Sequence, residues 1–334
     1  MKKFINPVLA LMAVLLIFSG CHLKNKWPVN FPEGAFPDTA KNLAPVNSTF
    51  DDYNSAGPPT LAFSIPLVFS SNRNSNGEDY DLVEYQLYAS FNQFDGSLSI
   101  TAERYATYPF YYLTQMANTD NDEFGPYIAP LGSQEYFFLF SSNRTGNMEI
   151  YTSFYDQYTF GGGSQIGPEP FRIKGLNTPN YDAYATMSID LDLVIFCSNR
   201  DGNLDLHQAA LPTEPGACYE WARTDTLYPA TPITQLNSDA ADACPFINGN
   251  LLVFTSKRAG GYGGYDLYYS VYDGDKWQDP VNFGPLINSP YNEFRPATFY
   301  APYFSNDLMI FSSDRPGGRG GFDLYYVGIS KLIL

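Results

Sequence analysis

Histidine is almost missing from this chain: 334 residues hold two, His22 and His207, the second beside a repeated strand motif. No Ser-His-Asp or Cys-His constellation and no histidine-rich metal site can be assembled from so few. Cysteine is sparse as well, with Cys21, Cys197, Cys218 and Cys244, which excludes a disulfide scaffold. Basic residues are outnumbered, 19 Lys and Arg against 35 Asp and Glu, for a net charge of −16. The basic footprint that phosphate binding requires is therefore lacking, which excludes a nucleic-acid partner. Beyond the N-terminal segment no stretch sustains a helical period. What the chain has is apolar material, 44% of it with 17% aromatic, against 16% charge. That is enough for a core and too little charge for disorder.

Lys2 and Lys3 precede an apolar run from Pro7 to Phe18, followed by Ser19, Gly20 and Cys21. This is the order of a secretory signal, and the run is too short to span a bilayer. Phe-Ser-Gly-Cys resembles a bacterial lipoprotein lipobox, with Phe18 where Leu is usual. The resemblance implies a signal over 1–20 and lipids on Cys21, so that acyl chains are the anchor. Residues 21–40, with Pro28, Pro32 and Pro37, read as an extended tether. His22-Leu-Lys-Asn lacks an acidic run that would resemble a surface-export signal, so the expected place is the periplasmic face of a bacterial outer membrane.

Everything after the tether repeats. An apolar strand ends in a polar corner at Arg73, Arg144, Arg200, Arg258 and Arg315, at intervals of 71, 56, 58 and 57 residues. After each Arg a Gly-containing turn leads to an acid that opens another strand: Asp81, Glu149, Asp205, Asp266 and Asp323. Upstream recurs Asn-Ser/Thr-x-x-x-acid, ending at Asp52, Glu123, Asp182, Asp242 and Glu293. Four short antiparallel strands per unit, punctuated by turns such as Asp273-Gly274, make a propeller blade. The expected fold is all-β, a five-bladed propeller over 41–334. Its last blade has three C-terminal strands and is completed by an N-terminal one, because Lys41 to Asp52 parallels Val281 to Glu293. Such closure hides both sheet edges.

The Phe-Ser-Ser-Asn/Asp-Arg and Asp-Leu-Tyr strings with their Asn-Ser lead-in resemble the WD-like β-propeller repeat of the TolB type, common in bacterial envelope proteins. The Pro-Gly-Gly-x-Gly-Gly corner after Arg315 resembles envelope proteins of Bacteroidetes. The resemblance implies the fold and an envelope setting; five corners depart from the six blades of TolB itself.

Candidate site residues follow from the repeats. Each corner Arg is expected to pair with the acid after its turn, as Arg73–Asp81, Arg144–Glu149, Arg200–Asp205, Arg258–Asp266 and Arg315–Asp323, a guanidinium fork matching a carboxylate. The five lead-in acids have two readings. Either they ring a channel mouth and recruit a cation such as Ca²⁺, or each caps a local turn; recurrence in every blade favours the turn, and no cofactor is required. Blade irregularities supply aromatic candidates for binding, Tyr108, Phe110 and Tyr111 before the second blade and Trp221 in a later insertion. The preferred function on these grounds is a non-enzymatic scaffold for an envelope protein or glycan. The alternative is a carboxylate-dependent glycoside hydrolase, which needs two acids in distinct environments.

Overall fold

The computed structural model describes residues 30–104, 109–132, 135–156, 169–214, 217–225 and 227–331. They form five four-stranded antiparallel sheets arranged as the blades of a propeller. The innermost strands are Asp52–Ala56, Glu123–Gly132, Asp182–Met187, Asp242–Asn248 and Glu293–Phe299, each opened by a lead-in acid. The second strands end at Ser71, Ser142, Ser198, Ser256 and Ser313, two residues before the corner Arg. Their middle residues form an unbroken apolar run because neighbouring blades cover both of their faces. Phe69, Phe140, Phe196, Phe254 and Phe311 occupy one equivalent position there, and all are buried.

Each lead-in Asn clamps the third strand of the preceding blade. Asn118 Oδ1 accepts from Leu82 N at 2.7 Å while its Nδ2 donates to Leu82 O at 3.0 Å. The same pair of bonds joins Asn177 to Ile150, Asn237 to Leu206 and Asn288 to Leu267. Asn47 makes it with Leu324, across the junction between the two ends of the chain. Lys41–Asn42 then pairs antiparallel with Tyr325 and Tyr326 as the fourth strand of the last blade. Ring closure is therefore one strand from the N-terminal side and three from the C-terminal side.

One expectation changes. The second half of the proposed tether lies on the body: Phe36 is buried, stacks on Phe304 at 4.2 Å, and exchanges two hydrogen bonds with the Asn306 side chain. An aromatic ring that can be buried is not left in an extended linker. The fold is all-β as expected; among the described residues two short helices, α1 (Phe110–Ala117) and α2 (Ala217–Arg223), lie in the irregular insertions. No helix among the described residues is long and apolar enough to cross a membrane.

Candidate functional site

The corner arginines pair with the lead-in acids and not with the acids that follow their turns. Arg144 Nη2 lies 3.0 Å from Glu123, Arg200 Nη2 2.6 Å from Asp182, Arg258 Nη2 2.6 Å from Asp242 and Arg315 Nη2 2.8 Å from Glu293; Arg73 pairs with Asp52 in the same way. Register explains the correction. Ser198 stands between Asp182 on the inner strand and Asp205 on the third, and both Nε and the backbone N of Arg200 donate to its Oγ. That grip turns the guanidinium inward, where its Nη2 also donates to Leu176 O.

The acids after the turns have other work. Asp266 accepts from Tyr262 N and Asp323 from Arg319 N, so they brace the corner loop. Glu149 instead pairs with Arg172 at 2.7 Å, and Asp81 and Asp205 take bonds from Asn74 and Asn203.

The lead-in carboxylates do not ring a channel. All five are fully buried, and each takes a backbone N–H from the residue four positions earlier, as Asp182 does from Thr178 at 2.6 Å. Ser and Thr hydroxyls and the Arg occupy the remaining lone pairs. Burial pushes the carboxyls of Glu123 and Glu293 up, against the pull of these donors and of the adjacent Arg. Among the described residues no group of three or more His, Cys, Asp or Glu is placed to hold a metal ion.

The axis itself is plugged. The third residue of every inner strand adopts a positive φ, Asn54 at 55°, Gly125 at 56°, Tyr184 at 58°, Cys244 at 52° and Arg295 at 42°, and the ladder skips a step beside each. Such bulges turn the side chains of Asn54, Tyr184, Cys244 and Arg295 toward the centre, and Gly125 has none to contribute. Arg295 is fully buried there with its Nη atoms on the carbonyls of Pro245 and Pro126, at 2.7 and 3.1 Å. Tyr184 and Phe246 lie under its guanidinium. Cys197 and Cys244 are buried free thiols beside this plug, Cys197 pushed up to about 12 by burial.

The proposed binding aromatics separate. Phe110 and Trp221 are core residues that seat α1 and α2, because a helix over a blade must bury one face. Tyr111 is exposed on α1 and borders a groove with Arg104 and Asn118. Tyr108 and Cys21 lie outside the described residues, as does the Cys218 side chain.

One open cleft lies off the axis, on the end of the ring opposite the Arg corners. A cleft of about 730 Å³ separates blades 3 and 4, lined by Asp190, Asp192, Asp275, Tyr272, Trp277 and Gln208 among others. Ser188 Oγ donates to Asp192 at 2.6 Å and accepts from the Asp192 and Leu193 amides, pinning the tight turn between the inner and second strands. Across the cleft the Asp273 carboxylate accepts the Asp275 and Lys276 amides at 2.9 Å and holds the hairpin that carries Trp277. Those bonds hold the Asp273 carboxyl below its usual range. Trp277 packs edge-on against Tyr272 at 5.3 Å.

Asp190, Asp192 and Asp275 lie outside the three recurring signatures. The stretch Ser-Ile-Asp-Leu-Asp over 188–192 carries two of them; the corresponding turns over 57–63 and 249–250 hold no acid, while the last blade places Asp307 at the position of Asp192.

No protein-family model matches the chain, and no curated protein does. Solved structures match in fold. TolB from Acinetobacter baumannii is 12% identical with a TM-score of 0.40 over 84% of this chain and 55% of that one, so the chain spans about half of its length. An endo-arabinase from Bacteroides thetaiotaomicron is 10% identical with a TM-score of 0.50, over 89% of this chain and 98% of that one. An α-L-arabinofuranosidase from Lactobacillus brevis is 11% identical with a TM-score of 0.47, over 85% and 92%.

At such identities the likeness is one of architecture. It nonetheless corrects the preference for a non-enzymatic scaffold. That preference rested on recurring acids among which none stood out, whereas the endo-arabinase is a hydrolase that shares the fold over nearly its whole length.

Proposed function

We propose that the protein is a carboxylate-dependent glycoside hydrolase whose site is the cleft between blades 3 and 4. The observation that carries this reading is the gathering of Asp190, Asp192 and Asp275 with the exposed Tyr272 on one cleft of about 730 Å³. Glycosidic cleavage needs one carboxyl to protonate the leaving oxygen and a second to act as base or nucleophile. It also needs the two in unlike surroundings. Asp192 is oriented by a hydroxyl at the base of its turn, whereas Asp190 stands at the crest of that turn and Asp275 on the facing hairpin. Asp192 with Asp190 on its own turn or Asp275 on the facing hairpin supplies the pair, and the exposed Tyr272 ring, backed by the buried Trp277, supplies an apolar wall for a sugar. The fold neighbours named for arabinose-containing substrates make neutral arabinan and arabinoxylan the first probes.

The setting proposed with it is the bacterial envelope, with Cys21 lipidated and the outer membrane reached through acyl chains. The lipobox-like Phe-Ser-Gly-Cys supports this. In cells, Cys21→Ala is then expected to move the protein from the membrane to the soluble fraction; unchanged retention rejects the anchor.

The catalytic reading is tested by release of reducing ends from arabinan, arabinoxylan, galactan and xylan. Activity on at least one, lowered at least 100-fold by Asp192→Asn with the melting temperature preserved, is the expected result. No release from any of them, or full activity in Asp192→Asn and Asp275→Asn alike, rejects the cleft as the active site.

A further inference from the structure

We propose that the face bearing the cleft takes a polymeric neutral glycan, laid from the cleft across the axis onto a second aromatic platform formed by Phe63 and Tyr303. This rests on the hydrolase reading for the cleft and adds the class of substrate. Phe63 is 59% exposed and Tyr303 47%, yet their rings stack on each other at 4.5 Å and 13°. Large rings held in order while left in water are unfavourable for folding alone and suit a partner that covers them.

The platform is rigidly supported from below. Its two loops, 57–63 of blade 1 and 300–306 of blade 5, are tied by Leu61 N to Tyr300 O and Tyr300 N to Pro59 O, both 2.8 Å. Phe63 O accepts from Ala89 N at 2.9 Å, and Leu61 and Ala301 are fully buried beneath. Such a surface binds without paying to order itself.

Continuity joins the platform to the cleft. Each blade is an antiparallel meander, so the turns between its first and second strands and between its third and fourth leave by the same end. Both the cleft and the Phe63–Tyr303 pair are built on that end. The cleft shares Ser188, Ile189, Ile247 and Gly249 with a small dimple, which reaches Pro59, the hydrogen-bond partner of Tyr300. Ile189, 67% exposed, stands at the junction. A ligand confined to the cleft would touch none of the platform, whereas a chain several sugars long would follow the track.

Its chemistry is set by what lines it. Aromatic faces take the C–H face of a sugar ring. A net charge of −16 repels polyanions, so uronate-rich or sulfated chains are disfavoured against neutral ones.

The test is affinity electrophoresis of the whole protein through gels containing each neutral polysaccharide of the panel above, or casein, for wild type, Phe63→Ala/Tyr303→Ala, Tyr303→Trp and Asp192→Asn. Wild type and Asp192→Asn are expected to be retarded by a polysaccharide, the double alanine variant to lose at least tenfold in affinity at an unchanged melting temperature, and Tyr303→Trp to be retained. Where hydrolysis is measurable, the double variant raises KM for the polymer at least fivefold and leaves a trisaccharide substrate unaffected. Retardation of the wild type by a polysaccharide that it does not hydrolyse, with hydrolysis of no other member of the panel, would reject the catalytic reading and keep this one. A double alanine variant retarded like wild type, or retardation by casein and by no polysaccharide, overturns it.

Discussion

The ring of Tyr184 occupies the space that a side chain on residue 125 would need, since a Cβ built on Gly125 would land on it. Gly125 is the one glycine among the five axial bulge residues, and it sits where the neighbouring blade projects Tyr184. Gly125→Ala meets two penalties together, the positive φ of 56° and the overlap with the ring. A loss of about 3 kcal/mol in chemical denaturation is expected. In a Tyr184→Leu background the added cost of Gly125→Ala should fall to about 1 kcal/mol, the strain alone.

The Arg200–Asp182 pair tests the energetics of the corners. Arg200→Met leaves Asp182 fully buried with its hydrogen bonds but no cation, and is expected to cost about 3 kcal/mol. Removing both charges in Arg200→Met/Asp182→Asn should cost clearly less than the two single changes added together. Urea melts of the four proteins measure this coupling; strict additivity would mean that the ion pair contributes nothing.

His207 departs from the other blades. Tyr85, Tyr151, Tyr268 and Tyr325 each lie under their corner guanidinium at 4.6 to 5.5 Å, whereas Arg200 covers only Phe196, and the buried His207 reaches instead to Asp201 at 2.9 Å. His207→Tyr restores the missing ring and gives up a bond to a half-exposed carboxylate. The expected gain is about 0.5–1 kcal/mol, the size of one cation–π contact. Calorimetry should show a higher melting temperature for His207→Tyr and a lower one for His207→Ala.

Stability should rise on mild acidification. Burial raises the carboxyls of Glu123, Glu293, Asp81, Asp205 and Asp307 in the folded state. Between the ordinary carboxylate range and these raised values the folded protein binds protons that the unfolded chain does not, so stability increases as pH falls through that window. Relief of repulsion at a net charge of −16 acts in the same direction. Melting temperatures taken from pH 8 down to 5 should climb, with a shallower slope in Glu123→Gln. A monotonic fall would show that the charged forms are the favoured ones in the fold.

The blade count, the strand order and the closure by Lys41–Asn42 were legible in the chain, because each depends on a local pattern that recurs. An apolar strand, a corner and an acid mean the same thing every time they appear, and five repetitions average out local ambiguity. Partner choice at the corners was not legible. Asp52 and Asp81 both lie opposite Ser71, on its two sides, and only the direction in which Arg73 folds onto Ser71 Oγ separates them. The sites differ for the same reason. Asp192 and Asp275 are distant in sequence and unremarkable in their own turns, and they share a cleft because blades 3 and 4 stand side by side with those turns at one end. The sequence alone determined what is repeated, since hydrophobic alternation and turn chemistry act over a few residues. Which unlike residues meet was left to the tertiary structure, where the angle between adjacent sheets and the bulge in each inner strand decide which side chains face one another.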